Sequence, residues 1–284
     1  MHSSKTSKRI DAHQHFWQYN PAEHVWMTDD MAALRRDFMP GDLKPLLGNL
    51  EFDGCVVVQV RQSVEETRWL LDLAERHDFV RGVVGWVDLR STGLRAQLEQ
   101  FAGDEKLVGV RHIVQGEPDD NFMLRENFRR GIAGLAEFDL AYDVLIYPRQ
   151  LPAAIELVRA FPDQRFVLDH IAKPAIAEGK RERWEAGLRE LAKSEKLYCK
   201  LSGMVTEARW NQWRPDDFRP YLDVVFEAFG PDRLMIGSDW PVCTLSASYE
   251  RAMGIVLDYI AQLGVADREA ILGGNCGRFY GLWD

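Results

Sequence analysis

Short apolar segments rich in β-branched residues recur along the chain, and amphipathic segments separate them. The segment GCVVVQV at 54–60 is too short for a helix and is typical of a buried strand. After it, Ser63 and Glu66 stand at the spacing of a helix-capping box, and Trp69 and Leu73 would lie on one helical face. This part of the pattern therefore predicts a strand followed by a helix.

The same alternation continues along the whole chain. The predicted strands lie within residues 9–16, 54–60, 80–89, 107–115, 141–148, 165–174, 197–204 and 234–241. Strands that are apolar throughout and alternate with helices indicate a parallel sheet covered on both faces. Eight such units in roughly 250 residues fit a closed barrel. We therefore predict an α/β fold, a single-domain (β/α)8 TIM barrel over residues 9–284 after a polar tail at 1–8.

A doubly wound open sheet is the structural alternative, because it shows the same alternation of strands and helices. No G-x-G-x-x-G sequence follows any of the apolar segments. The nucleotide-binding form of the open sheet therefore lacks its best sequence support.

Charge and cysteine content exclude several classes of protein. The formal charge of −9 over 284 residues argues against a nucleic-acid partner, which requires clustered Lys and Arg. The four cysteines form no C-x-x-C pair, so neither a structural zinc site nor a redox motif is expected. No apolar run has the length of a signal peptide or of a membrane span. We expect a cytoplasmic protein without a membrane partner, and the sequence leaves the oligomeric state open.

Polar residues gather where the predicted strands end, which is where a TIM barrel carries its active site. His13 and His15 are two positions apart in a strand, so their side chains should point the same way, with Asp11 behind them. The other candidates are Gln59, Trp86, Arg111, His112, Tyr147, His170 and Asp239. Each also has a structural explanation. A lone histidine such as His112 is more often a hydrogen-bonded structural residue, and Asp239 in the sequence SDWP could cap a turn.

Three motifs in order carry a resemblance to a known family: DAHQHFW at 11–17, DHIAKP at 169–174 and GSDWP at 237–241. They resemble the amidohydrolase superfamily, in particular its amidohydrolase 2 family. GVRHIVQGEPD at 109–119 and ILGGNCGRFYGL at 271–282 look like the sugar lactonase branch of that family, near L-fuconolactonase and L-rhamnonolactonase. The resemblance extends over essentially the whole chain from Arg9 onward.

The resemblance implies a metal site formed by His13, His15, His170 and Asp239. In metal-dependent members these positions hold a divalent cation, and imidazole and carboxylate ligands suit Zn²⁺. Asp239 would also take a proton from the attacking water, so Asp239 and His170 are the expected catalytic residues. Binuclear members carry further ligands on the fourth and fifth strands, where this chain has Arg111, His112 and Tyr147, so one cation is expected. Some lactonases of this branch work without metal, and the histidines would then donate hydrogen bonds to the carbonyl oxygen.

The expected activity is hydrolysis of a sugar-derived lactone to its aldonic acid. Gln59, Trp86, Arg111, His112 and Tyr147 are the expected substrate contacts, because they offer hydrogen-bonding groups to a polyhydroxylated ring. The long first connection, roughly 17–53, is expected to cover the site as a binding loop. A decarboxylase of an aromatic or unsaturated acid on the same scaffold is the alternative. A sugar-binding protein without catalytic activity is a third hypothesis. It would be favoured if His13, His15 or Asp239 had been lost, but all three are present.

Overall fold

The computed structural model describes residues 8–283, and most of the tail expected at 1–8 lies outside this range. Eight strands form one parallel sheet in which each strand pairs with the next along the chain. They are β1 (Ile10–Gln14), β2 (Gly54–Val58), β3 (Val80–Gly85), β4 (Leu107–His112), β5 (Ala141–Val144), β6 (Phe166–Leu168), β7 (Leu197–Leu201) and β8 (Leu234–Ile236).

Helices connect the strands and surround the sheet. In the described residues they are α1 (Pro40–Asn49), α2 (Val64–Arg76), α3 (Leu94–Glu99), α4 (Glu126–Leu135), α5 (Leu151–Ala160), α6 (Glu182–Leu191), α7 (Met204–Glu207), α8 (Arg219–Phe229), α9 (Tyr249–Ile260), α10 (Val265–Glu269) and α11 (Asn275–Tyr280). The capping box expected at the start of α2 is present in part, because the Ser63 side chain accepts a hydrogen bond from the backbone N–H of Glu66.

The sheet closes on itself through hydrogen bonds between β1 and the segment that follows β8. The backbone N–H of Asp239 donates to the carbonyl of His13 over 2.8 Å, and that of His15 donates to the carbonyl of Trp240 over 2.7 Å. A bridge between Gln14 and Trp240 continues the parallel pairing. The predicted (β/α)8 barrel is confirmed, and the open-sheet alternative is wrong because the first and last strands meet.

The strands end earlier than the apolar pattern predicts. β3 ends at Gly85 and β5 at Val144, so Trp86 and Tyr147 lie in the connections that follow. The opposite end of the barrel, where the strands begin, is filled by α11. Phe279 and Tyr280 of this helix pack against Ile10 of β1 and its neighbours.

The first connection folds back on the barrel as a loop that carries α1. Trp17 and Phe38 are both buried and exchange two backbone hydrogen bonds, so they fix the base of the loop. Trp26 lies near the tip of the loop and is 37% exposed. No helix within residues 8–283 combines the length and apolar character that crossing a bilayer requires. A cytoplasmic location stays a prediction of the sequence.

Glu66 is a buried carboxyl group at the start of α2, and its Oε2 accepts the backbone N–H groups of Val60 and Arg61. Burial raises the pKa of Glu66 from 4.5 to about 7. Between pH 4.5 and about pH 7, Glu66 holds a proton in the folded protein that it has released in the unfolded chain. The free energy of unfolding therefore falls as the pH rises through this interval.

We expect Glu66→Gln to remove this pH dependence, because a neutral amide keeps an oxygen acceptor for both N–H groups. The free energy of unfolding of the wild type should fall relative to that of the variant by on the order of 3 kcal/mol between about pH 4.5 and about pH 7. Urea unfolding of both proteins at several pH values measures this. A difference that stays constant with pH would contradict the assignment.

Candidate active site

Three imidazole nitrogens surround one carboxylate oxygen at the end of the barrel where the strands terminate. Asp239 Oδ1 lies 3.2 Å from His15 Nε2, 3.8 Å from His170 Nε2 and 3.9 Å from His13 Nε2. All four side chains are buried. The structure thus brings together residues that are separated by more than two hundred positions, because β1, the turn after β6 and the turn after β8 meet at one end of the closed barrel.

Each histidine is oriented by a contact at its other ring nitrogen. His15 Nδ1 lies 2.7 Å from the carbonyl oxygen of Val58, and His170 Nδ1 lies 2.9 Å from Ser202 Oγ. A carbonyl oxygen can only accept, so His15 donates its Nδ1 hydrogen and a neutral His15 presents the Nε2 lone pair to Asp239. A lone pair and a carboxylate oxygen 3.2 Å apart repel each other unless a cation or a proton lies between them.

A chain of buried ion pairs supports His13 from below. His13 Nδ1 lies 3.3 Å from Asp169 Oδ1, and Asp169 also contacts Arg111 at 3.0 Å and Lys200 at 3.2 Å. Lys200 pairs in turn with Asp143 of β5, which accepts a hydrogen bond from the Tyr280 hydroxyl of α11. This set, which we call the buried ion-pair chain, is formed by Tyr280, Asp143, Lys200, Asp169 and Arg111.

The surroundings set the protonation of these groups. Burial lowers the pKa of both His13 and His170 well below 6.5, so these imidazoles are neutral near pH 7. Burial opposes ionisation of Asp239, but the pKa of Asp239 still lies below 3.8, and the positive charge of Lys173 is one of the causes that lower it. The site therefore presents neutral imidazole nitrogens, which can act as metal ligands, beside an ionised carboxylate.

Asp11 ties the first strand to the segment after the last one. Its Oδ1 accepts the backbone N–H groups of Ser238 and His13, and its Oδ2 accepts the Tyr249 hydroxyl of α9. Burial raises the pKa of Asp11 from 3.8 to about 6. Asp11 therefore lies behind the histidine pair, as the sequence predicts.

The turn after β6 has an uncommon backbone. His170, Ile171, Ala172 and Lys173 all have positive φ, between 48° and 59°. This left-handed turn is strained for residues with side chains, by about 1 kcal/mol or more per residue. It places His170 beneath the cavity and Lys173 in the cavity wall.

A cavity of about 300 Å³ opens above the histidines. Its floor contains His15, His170, Asp239 and Arg111. The wall is largely apolar, and its side chains are Val60, Ile113, Leu145, Val242, Gln115, Lys173 and Trp26. Trp26 belongs to the first connection, so that loop does reach the site.

Of the five expected substrate contacts, only Arg111 lines this cavity. Side chains alternate along β4, so Arg111 points inward and His112 outward, where it stacks on Phe122 and contacts Glu117 Oε1 at 2.7 Å. Gln59 is fully buried beneath the cavity and accepts from the Arg111 guanidinium at 2.9 Å.

The two aromatic candidates lie in the connections beyond their strands. The backbone of Trp86 exchanges hydrogen bonds with the Thr67 hydroxyl of α2. Tyr147 is 36% exposed, with its ring 5.7 Å from Lys173 Nζ, and so stands beside the cavity wall. The structure therefore separates His112, Gln59 and Trp86 from the cavity surface and leaves Tyr147 at its edge.

Sequence reasoning missed two polar residues of the wall. Gln115 follows β4 by three residues, and its buried Oε1 has no hydrogen-bond partner within the described residues. Lys173 is paired with Glu207 at 2.6 Å, and the DHIAKP motif already contains it. Neither position follows from strand periodicity, because both lie in irregular connections.

The residues present fit a divalent cation. In the part of the chain that the structure describes, one group of three side chains has ligand atoms all within 4.8 Å of one another, and it consists of His13, His170 and Asp239. The lone pair of His15 that faces Asp239 is a second feature that a cation would stabilise. Nitrogen and carboxylate ligands of this kind suit zinc, and three protein ligands would leave a coordination position open.

The family model "Amidohydrolase" matches residues 10–282, and the chain belongs to this family. The curated L-fucono-1,5-lactonase of Burkholderia multivorans is 42% identical over 96% of both chains, and that of Burkholderia ambifaria is 42% identical over 96% of this chain and 95% of its own. A solved amidohydrolase from Burkholderia multivorans with bound zinc has a TM-score of 0.93 at 42% identity and covers 97% of this chain and 100% of its own.

More distant solved structures share the barrel. A 2,6-dihydroxybenzoate decarboxylase has a TM-score of 0.65 at 13% identity, covering 97% of this chain and 98% of its own. A likeness at that identity shows the fold alone, so it does not favour the decarboxylase alternative.

Gly203 gives His170 the space that its ring occupies. A Cβ at Gly203 would lie 2.5 Å from His170 Nδ1, whereas a Cβ at Gly179 would meet nothing within 4 Å. Both glycines have positive φ, 63° and 67°, so alanine at either position carries a similar backbone strain of about 1 kcal/mol. Gly179 is therefore a matched control.

We expect Gly203→Ala to displace the His170 ring and to weaken zinc binding, by about tenfold or more, while Gly179→Ala leaves it unchanged. Competition between the protein and a colorimetric chelator measures the zinc affinity, and thermal unfolding shows whether the two variants are equally stable. Equal zinc affinities in two equally stable variants would show that the His170 position is not needed for the metal.

Proposed function

We propose that this protein hydrolyses a sugar lactone, with L-fucono-1,5-lactone or a close relative of it as substrate, and releases the aldonic acid. Two relatives with that printed activity match nearly the whole chain at 42% identity, and the site supplies a base beside an electrophilic centre. The observation that carries the proposal is the ionised Asp239 carboxylate among three imidazole nitrogens at the floor of a ring-sized cavity.

The chemistry requires a base, an electrophile and a route for one proton. Asp239 takes a proton from water as the water oxygen attacks the lactone carbonyl carbon. The tetrahedral adduct then expels the ring oxygen, and the proton held on Asp239 passes to that leaving alkoxide. The products are a free hydroxyl group and a carboxylic acid, which releases its proton to solvent and becomes the carboxylate, so the ring is opened with one water consumed.

His13, His170 and Asp239 are the residues that would hold a zinc ion, with His15 beside the shared carboxylate. The ion would supply Lewis-acid polarisation of the carbonyl oxygen and would lower the pKa of bound water. The tautomer of His15 favours metal binding by the histidines over hydrogen bonding from the histidines to the substrate. A neutral His15 that donates to Val58 has no hydrogen on Nε2, so it cannot donate to a carbonyl oxygen.

Without a cation, hydrogen-bond donors near the carbonyl would come from other side chains. Arg111 and Lys173 both line the cavity, and both remain positively charged. For Lys173, burial opposes the charge, but Glu207 and Asp239 outweigh it and raise the pKa of the ammonium group above 10.5. These two cations, rather than the histidines, would then stabilise the oxyanion.

The cavity wall offers few polar groups to the ring hydroxyls. Gln115 has an acceptor oxygen without a partner, and Lys173 has an ammonium group held in place by Glu207. We assign these two residues, with Arg111 and Tyr147, to substrate binding. Gln59 acts indirectly, because it holds the Arg111 guanidinium through its side-chain and backbone oxygens.

Asp239→Asn is expected to lower kcat for L-fucono-1,5-lactone by a factor between about 10² and 10⁴, because the amide cannot take the proton. Acid release measured with a pH indicator gives the rate, and thermal unfolding checks the fold. Asp216→Asn, which changes an exposed carboxylate away from the cavity, is the control. Undiminished turnover in a folded Asp239→Asn variant would refute the role of Asp239 as base.

Gln115→Leu is expected to lower kcat/KM about fivefold for L-fucono-1,5-lactone, the effect of one lost hydrogen bond of about 1 kcal/mol. The unsubstituted δ-valerolactone carries no ring hydroxyls, so its hydrolysis should be unaffected. The ratio of the two specificity constants in the wild type and in the variant is the measurement. An equal loss for both lactones would indicate a general disturbance of the site instead of recognition of a hydroxyl group.

A further inference from the structure

The Arg111 guanidinium lies between the buried ion-pair chain and the metal-ligand group. Its side chain is 4% exposed, and its Nη1 lies 3.0 Å from Asp169 Oδ2 and 3.3 Å from His13 Nε2. Gln59 holds the other side of the guanidinium, with Nη2 2.9 Å and Nε 3.3 Å from Gln59 Oε1. The position of Arg111 is therefore fixed by contacts on both sides.

Arg111 uses the nitrogen of His13 that a metal ion would need. A guanidinium group has only donors, so His13 Nε2 accepts the Arg111 hydrogen with its lone pair. His13 Nδ1 then carries the ring hydrogen and lies 3.3 Å from Asp169 Oδ1 and 3.3 Å from Lys200 Nζ. His13 Nε2 is also the atom that lies 3.9 Å from Asp239 Oδ1. One lone pair thus faces both the guanidinium and the space between the ligands.

The charges beneath the site are already balanced without a divalent ion. Arg111 and Lys200 supply two positive charges, and Asp169 and Asp143 supply two negative charges, all of them buried. A divalent cation beside His13 Nε2 would therefore gain no net attraction from these four groups, and it would lie close to the positive charge of Arg111. In a buried site such like-charge repulsion is screened little, so it weakens cation binding substantially.

We propose that Arg111 competes with a divalent cation for His13, because its guanidinium donates to the His13 Nε2 lone pair that a metal ion would need and so lowers the affinity of the site for metal. The metal and Arg111 compete for the same acceptor, His13 Nε2. Because Arg111 also lines the substrate cavity, release from His13 makes its Nη1 hydrogen available to a ligand in that cavity. Arg111 thereby sets the metal affinity of the site, in addition to its proposed contact with substrate.

The test is the zinc affinity of the metal-stripped protein, measured with zinc alone in competition with a colorimetric chelator. We expect Arg111→Gln to bind zinc more tightly than the wild type by about tenfold to a hundredfold, the range in which neighbours of a ligand shift metal affinity. Arg111→Lys keeps the positive charge and should stay within about threefold of the wild type. Arg61→Gln removes an arginine that follows β2 and lines a different surface pocket, so it should leave the affinity unchanged.

A zinc affinity of folded Arg111→Gln that equals or falls below that of the wild type would overturn the proposal. The same conclusion follows if Arg111→Lys binds zinc as tightly as Arg111→Gln, because charge would then not be the cause. These outcomes do not depend on lactone turnover, so they are distinct from a failure of the proposed function.

A measurement on the unchanged protein keeps the proposal testable if Arg111→Gln fails to fold. The side-chain nitrogen resonances of Arg111, assigned by comparison with Arg111→Lys, should shift when zinc is added to the metal-stripped wild type. Arginine resonances that stay unchanged at saturating zinc would contradict exchange at His13 Nε2.

Discussion

Two backbone hydrogen bonds between β1 and the segment after β8 close the barrel, and the site depends on this closure. The N–H of Asp239 reaches the carbonyl of His13, and the N–H of His15 reaches the carbonyl of Trp240. His13, His15 and Asp239 are thus the same residues that join the first strand to the last. Asp11 strengthens this junction by accepting the backbone N–H of Ser238 across it. Closure of the barrel therefore brings His13, His15 and Asp239 together.

Beneath the histidines, the barrel interior is charged rather than apolar. The ion pairs among Arg111, Asp169, Lys200 and Asp143 replace the hydration that these groups lose on burial, and every member contacts an opposite charge. Replacing such a pair by apolar residues often costs little stability, so the network is not explained by stability alone. Its effect here is to hold the His13 ring between Asp169 and Arg111 and to place a permanent cation beside the ligand nitrogens.

The sequence predicts the barrel well because β-branched segments and amphipathic segments alternate along the chain. Each of the eight strands lies within a predicted segment, although several end earlier than predicted. It also predicts the convergence of His13, His15, His170 and Asp239, since the ends of parallel strands meet at one end of a barrel. It does not predict the cavity wall. His112 lies outside the cavity because alternation along β4 lets only one of two neighbours point inward. Gln115 and Lys173 lie in an irregular connection and in a left-handed turn, whose directions no periodic pattern encodes.

The most direct test of the account is a crystal structure of the protein with the aldonate product of L-fucono-1,5-lactone. We expect the product carboxylate beside Asp239 and His170, with a ring-derived hydroxyl group within hydrogen-bonding distance of Gln115. The surface also has a groove of about 500 Å³, formed within residues 176–221. Product bound in that groove, with the cavity above the histidines free of it in crystals of active enzyme, would contradict the assignment of the active site.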